Sequence, residues 1–229
     1  MTDGSRERPA DESDPAVPTD RESPVGAPVI RGDESITGAH ARAAVQFDPD
    51  EPESVAAAAA TVRQFATGAL GEDNLSVLRG AAACAALVRG EGSYTAAAER
   101  AGPDVTVSFI RKWARVHDLP RSVRLQVALG YIAPTAAKHV ARLRGEARLL
   151  LAWASIDADL TVKTVREVAS TINDGADVDE ALATHGETLG TIELTLSREP
   201  YRDLRRHAAL EDVSPGDVVD EALTAYFEA

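Results

Sequence analysis

The run SYTAAAERAGPDVTVSFIRKWARVHDLP, Ser93 to Pro120, decides the reading of this chain. Ser93 is a ready N-cap for a short helix over Thr95 to Arg100. Gly102, Pro103 and Asp104 break that helix, and Leu119-Pro120 ends the next, Val105 to His117. Two stripes run along this second helix. Thr106, Phe109, Ile110, Trp113 and His117 recur at helical spacing and are expected to pack inward. Ser108, Arg111, Lys112 and Arg115 stand at i, i+3, i+4 and i+7 on the other side, three cations with no acid among them. A short helix, a sharp turn, and a helix with one buried and one exposed stripe are the parts of a helix-turn-helix. Concentrating like charge on one face makes sense if phosphates neutralise it. Arg at such positions can also pair bidentately with guanine O6 and N7. A plain solvated surface can look the same. The short helix and turn before the stripe, the cations that follow it and the sparse acids favour the first reading.

Helical patterns extend on both sides. Upstream, Pro52 suits a first turn, and Val55, Val62, Phe65 and Leu70 mark the apolar side of an Ala-rich helix. A second helix is expected over Asn74 to Val88, with Leu75, Leu78, Ala82, Ala85 and Leu87 inward and Gly90 and Gly92 as its stop. Downstream, helices are expected near Arg121 to Leu129 (capped by Gly130), Pro134 to Leu143, Glu146 to Ile156 and Thr161 to Thr171. The neighbouring helices add Arg121, Arg124, Lys138 and Arg142 to the basic set. Residues 1–48 are rich in Asp, Glu, Pro, Gly and Ser and read as a disordered acidic segment, with one apolar patch from Val25 to Ile30. Residues 49–172 read as the helical domain and 173–188 as a polar linker. Residues 189–229 read as a separate small module.

The charge pattern is uneven. The formal net charge is −13, which ordinarily argues against nucleic acid. Yet from Val105 to Ser170 eleven Lys and Arg face five Asp and Glu. Only three of the 24 basic residues are lysines, and an acidic chain that uses Arg for Lys resembles proteins of salt-accumulating cells. In molar salt the Debye length is about 3 Å, so global charge matters little beyond direct contact.

The segment Ser93 to Gly102, then Ser108 to Pro120, resembles the helix-turn-helix domain of ParB-type partition proteins. The likeness continues through Val123–Gly130 and Ile132–Leu143 and ends on Leu160-Thr-Val-Lys-Thr-Val-Arg-Glu-Val168, covering roughly residues 74 to 170. The resemblance implies that the second element is a recognition helix and that a later short helix touches the DNA backbone. It departs in three ways. Residues 1–70 hold nothing like that family's nucleotide-binding domain, so a nucleotide-driven sliding clamp is not implied. The usual Gly-His-Ala-Arg is here Thr135-Ala-Ala-Lys138, which keeps only the cation. The basic residue often found early in the recognition helix falls on Val107.

Residues 190–228 resemble a ribbon-helix-helix unit. Thr191-Ile192-Glu193-Leu194-Thr195-Leu196 alternates polar and apolar, which predicts a strand. Two helices are expected after it, Pro200 to Leu210 and Ser214 to Phe227, with Ser214-Pro215 as N-cap and N1. Ile192, Leu194, Leu196, Leu204, Val213, Val218, Val219, Ala222 and Leu223 form the apolar set. A unit this small cannot bury its own core, so it is expected to pair with a second copy. The resemblance implies base reading by Thr191, Glu193 and Thr195 and phosphate capture at Ser214. Glu193 suits a groove poorly, and Glu211, Asp212 and Asp217 crowd the phosphate position, so pairing is favoured over base reading.

Nothing points to an enzyme. There is no phosphate loop, dinucleotide glycine pattern or metal-spaced Cys/His set. Cys84 lies in an apolar run as a small hydrophobe. Asp157 and Asp159 are expected to cap the Thr161 helix, and His117 to be a core histidine. No signal peptide or membrane span is evident. The expectation is a mainly α chain: a multi-helix helix-turn-helix domain plus a small C-terminal strand-helix-helix dimerisation module. It needs no cofactor or metal, is cytoplasmic and nucleoid-associated, and has duplex DNA and itself as partners. Ser108 and Arg111 are the candidates for base edges. Arg111, Lys112, Arg115 and Lys138 are the candidates for phosphates and Arg124 is a further DNA-binding candidate; in the second module the candidates are Thr191 and Thr195 for the groove and Ser214 for a phosphate. The rival reading is a protein-interaction adaptor whose helix-turn-helix does not bind DNA, motivated by the acidic remainder and Glu193.

Overall fold

The computed structural model describes residues 47–228. The expected disorder of residues 1–48 lies outside those residues up to position 46, as does the patch at Val25–Ile30; Phe47, near the end of that segment, is half-buried against the core. Among the described residues there are eleven helices and no strand. The chain divides into two compact units at Leu189/Gly190.

The first unit is built on α2 (Asn74–Glu91). Every residue from Gly80 to Leu87 on it is buried. A helix buried all round must be central, and here it is shared by two apolar clusters. The first joins it to α1 (Pro52–Ala66), α3 (Tyr94–Ala101) and α4 (Val107–His117) through Val62, Leu87, Ala97 and Ile110. The second joins it to α5 (Arg121–Leu129), α6 (Pro134–Val140), α7 (Ala147–Asp157), α8 (Val162–Asn173) and α9 (Val178–Ala183). Its buried residues include Leu119, Val127, Ile132, Leu151, Val168 and Leu182. From Gly80 to Ala86 this helix carries no side chain larger than cysteine, and the Phe65 ring of α1 approaches it directly at Gly80. Burial pushes the Cys84 thiol up to about 12, which leaves it an inert apolar filler.

Several elements differ from the sequence reading. The helix expected to end near Val88, with Gly90 and Gly92 as its stop, runs on through Gly90 to Glu91 and is ended by Gly92, in the left-handed region at φ 75°. Gly90 serves packing instead: a Cβ there would lie 2.7 Å from the Val55 side chain and 3.0 Å from the Pro49 carbonyl. Thr106 does not pack inward. It is the N-cap of α4, and its hydroxyl accepts from the Phe109 N–H at 3.1 Å. Neither Asp157 nor Asp159 caps α8; the Thr161 hydroxyl does, accepting from the Thr164 N–H at 3.1 Å. The stretch read as a linker, 173–188, contains α9, whose Val178, Ala181 and Leu182 are buried in the second cluster.

Gly80 faces the ring of Phe65, and a Cβ there would fall inside the ring's van der Waals surface. Phe65 in turn packs on Trp113 at 4.9 Å and Phe109 at 5.3 Å between ring centroids, so it backs α4 directly. Gly80→Ala should therefore cost about 1–3 kcal/mol of overpacking, despite alanine's better helix propensity. A fall in Tm of about 3–10 °C, with altered near-UV circular dichroism from Trp113, is the expected outcome; a variant at least as stable as wild type would contradict the packing.

The second unit holds α10 (Arg198–Glu211) and α11 (Pro215–Glu228). The expected strand is not formed: residues 191–197 carry no regular secondary structure. A lone extended segment has no ladder partner within one chain, and strand geometry needs one. Ala208 is the one buried side chain of α10, and α11 has none. Ile192, Leu194, Leu223 and Phe227 are all at least 48% exposed.

Candidate nucleic-acid interface

The geometry of α3, the turn after it and α4 is set by short-range chemistry. The Ser93 hydroxyl caps α3 by accepting from the Ala96 N–H at 3.1 Å. Gly102 ends α3 at φ 121°, backbone that a side chain rarely tolerates. Arg63 on α1 donates to the Ala101 carbonyl at 3.1 Å and so satisfies the end of α3. The chain then re-enters helix at Thr106. Ile110, Ala114 and Val116 are buried, and Phe109 and Trp113 are half-buried.

The opposite face of α4 presents Ser108, Arg111, Lys112 and Arg115, all exposed. α6 and the turn after it lie alongside and add Lys138, His139 and Arg142. These seven residues line one open concavity of about 250 Å³. That is below the range of about 300–1,000 Å³ usual for pockets that enclose a small organic ligand.

Its electrostatics are one-sided. Among the described residues, none of Arg111, Lys112, Arg115, Lys138 and Arg142 forms an ion pair. The ion pairs of this unit lie elsewhere: Arg89–Asp118 and Arg100–Glu91 at 3.5 Å, and Lys163 and Arg166 on Glu167 at 3.9 Å. Burial, then the charge of Lys138, holds the Lys112 ammonium below its ordinary pKa. Lys112 leans over the rings of Trp113 and Phe109, at 5.1 and 5.4 Å, and Arg111 over Tyr94 at 5.2 Å. Aromatic faces thus hold two cations in place without cancelling their charge. Burial, followed by Lys138, Arg142 and Arg166, lowers the pKa of His139, and its Nδ1 is buried without a hydrogen-bond partner. α4 carries no acid in its first turn, so its positive N-terminal end adds to the same field.

The structure brings together Ser108, Arg111, Lys112, Arg115 and Lys138 but not Arg124. Arg124 is only 3% exposed and cannot face a ligand on this surface. Its guanidinium lies 3.5 Å from His117 Nδ1, with the charge of Asp118 acting on it. Arg148, another cation of the basic stretch, is also structural. It donates to the Leu143 carbonyl at 2.8 and 3.0 Å and to the Asp118 carbonyl at 3.2 Å, tying the turn after α6 to the end of α4. Arg142 and His139 join the site; the i, i+4 spacing of Lys138 and Arg142 is the sequence signal for the former. Thr191 and Thr195 are exposed in the irregular segment of the second unit. Ser214 is engaged in its own helix cap: its hydroxyl accepts from the Asp217 N–H at 3.1 Å, and its N–H donates to the Asp217 carboxylate at 3.0 Å. That carboxylate already occupies the place expected for a phosphate.

Among the described residues no group of His, Cys, Asp and Glu could hold a metal ion, and no helix is long and apolar enough to cross a membrane. One family model matches residues 48–187; it is described as a family of unknown function (DUF7119). No curated protein and no solved structure matches the chain.

Proposed function

The chain belongs to this family of unknown function, and from that premise we propose that it binds duplex DNA through its helix-turn-helix and pairs two copies through its C-terminal unit. The carrying observation is the cationic concavity between α4 and α6. Five cations from α4, α6 and the turn after α6 converge there, and none is ion-paired among the described residues. A solvated basic face would scatter its charges or pair them with carboxylates. An adaptor surface would have little reason to hold two of them over aromatic rings. The ligand this chemistry fits is a phosphodiester, bound by charge-assisted hydrogen bonds. Arg115, Lys138 and Arg142 take phosphate oxygens, while Ser108 and Arg111, near the start of α4, are placed for base edges. Such a protein is a transcription regulator or a nucleoid or partition factor.

The pairing of two copies is supported by exposure. Apolar residues at alternate positions 192, 194 and 196 lie open in the single chain, as do Val213, Leu223 and Phe227. The unit of residues 190–229 is too small to stand on its own core. Pairing of the 191–196 segments from two copies would supply the missing ladder and cover that surface.

The test is fluorescence anisotropy with a labelled mixed-sequence duplex over a KCl series, with light scattering for mass. We expect binding whose logarithmic affinity falls linearly with log salt, at about 0.9 per phosphate contacted, and a mass of two chains. Absence of duplex binding at tens of micromolar, or capture of duplex with no dependence on salt, would overturn the reading.

A further inference from the structure

We propose that the second unit carries its own contact surface for the DNA backbone, on the outer face of α10 rather than on the 191–196 segment. This rests on the proposed function, that the chain binds duplex. Residues 190–229 contain four arginines and no lysine, and all four lie on this one helix: Arg198, Arg202, Arg205 and Arg206. Their spacing, i, i+4, i+7 and i+8, gathers them on one face of about 100°. All four are exposed. The side turned to α11 is marked instead by half-buried Leu204 and buried Ala208. The acids of α10, Glu199, Asp203 and Glu211, fall outside the arginine face. Only Asp203 touches it, as a bidentate partner of Arg202 at 2.8 and 3.1 Å.

Two features make this more than a solvated face. Arg198 is the first residue of the helix, where the positive end of the helix dipole disfavours a cation. The unit is otherwise acidic, with Glu193, Glu211, Asp212, Asp217, Asp220, Glu221 and Glu228 set apart from the arginines. Segregated charge of this kind orients a molecule on a polyanion: the arginine face turns to phosphates and the acidic remainder away. The segment 191–196 offers Thr191, Glu193 and Thr195, with no cation, and Ser214 is closed by Asp217. The arginine face is thus the part of the unit that complements DNA in charge.

The experiment uses the full chain and a labelled mixed-sequence duplex over a KCl series. Arg198→Gln/Arg205→Gln should lower the salt slope by about 1.8 per chain, two contacts at about 0.9 each, while mass by light scattering stays unchanged. Arg198→Lys/Arg205→Lys should keep the wild-type slope. A charge-matched control, Arg89→Gln/Arg100→Gln, removes cations already paired with Asp118 and Glu91 and should leave the slope unaltered. If the glutamine pair keeps the wild-type slope while wild type binds duplex, the α10 surface is refuted and the groove reading stands. A change in mass would assign the arginines to the contact between copies and overturn the proposal. If wild type binds no duplex, both readings fall.

Discussion

Arg115→Glu/Arg142→Glu is expected to abolish measurable duplex binding while leaving the fold intact. The two arginines stand on different walls of the concavity, one on α4 and one after α6. Each is exposed and free of ion pairs among the described residues. A hydrogen bond between a charged donor and a phosphate contributes about 1.5–3 kcal/mol. Losing two gives about 3–6 kcal/mol, or roughly 10²–10⁴-fold in Kd. Reversal adds repulsion between the new carboxylates and any phosphate placed there. Neither side chain supports the core, so Tm should stay within about 2 °C of wild type, as for surface substitutions generally. Arg115→Lys/Arg142→Lys should retain most of the affinity, because it keeps the charge and loses only the bidentate geometry. Wild-type affinity in the glutamate pair would show that the groove is not where DNA sits.

This outcome follows from a part of the molecule that local sequence describes well. On α4 the inward and outward stripes are separated by helical period alone, so spacing by itself puts Ser108, Arg111, Lys112 and Arg115 on one face. Setting Lys138 and Arg142 opposite them depends on α6 packing beside α4, a tertiary contact at which charge only hints. Charge alone also misplaces Arg124. On α5 it lies between Val123 and Val127 in the inner arc, and its neighbours His117 and Asp118 come from the end of α4. A basic residue in a basic neighbourhood looks the same from sequence whether it faces phosphate or a carboxylate. The helix α9 is hidden for another reason. Val178, Ala181 and Leu182 have amphipathic spacing, but one short turn of it is masked by the Asp, Gly and Thr around it. The 191–196 alternation is a strand signal with no partner in a single chain, so local pattern and observed backbone disagree there. The arginine face of α10 is legible in its spacing, beside a strand pattern that gives the stronger local signal.

Burial of Arg124 changes what its removal should do, and pH makes the difference measurable. Arg124→Ala is expected to cost about 1–3 kcal/mol at pH 7, because it removes a buried side chain that shares the inner face of α5 with Val123 and Val127 and lies against His117. It leaves Asp118 with less of the positive field that stabilises its carboxylate: burial already raises that pKa, opposed by Arg89, Arg148 and Arg124. The same guanidinium acts on His117. Burial first, then Arg124 and Arg89, push the imidazole down to about 3. In the unfolded chain it titrates near 6.5. Between those values the unfolded state binds a proton that the folded state refuses, so wild-type stability falls as pH drops below about 6.5, by about 1.4 kcal/mol per unit. Asp118 acts in the opposite direction near its own titration, because a raised carboxyl pKa favours proton uptake by the folded form, and it softens the lower end of that limb. Without Arg124, the His117 pKa moves back toward its free value, and the decline from pH 6.5 to 4 should become shallower. Urea denaturation at a series of pH values gives both quantities: a lower midpoint at pH 7 and a flatter acid limb for Arg124→Ala than for wild type. If Arg124 instead faced DNA, its loss would leave stability and the acid limb unchanged and weaken only duplex binding. That result would return Arg124 to the interface from which its 3% exposure removes it.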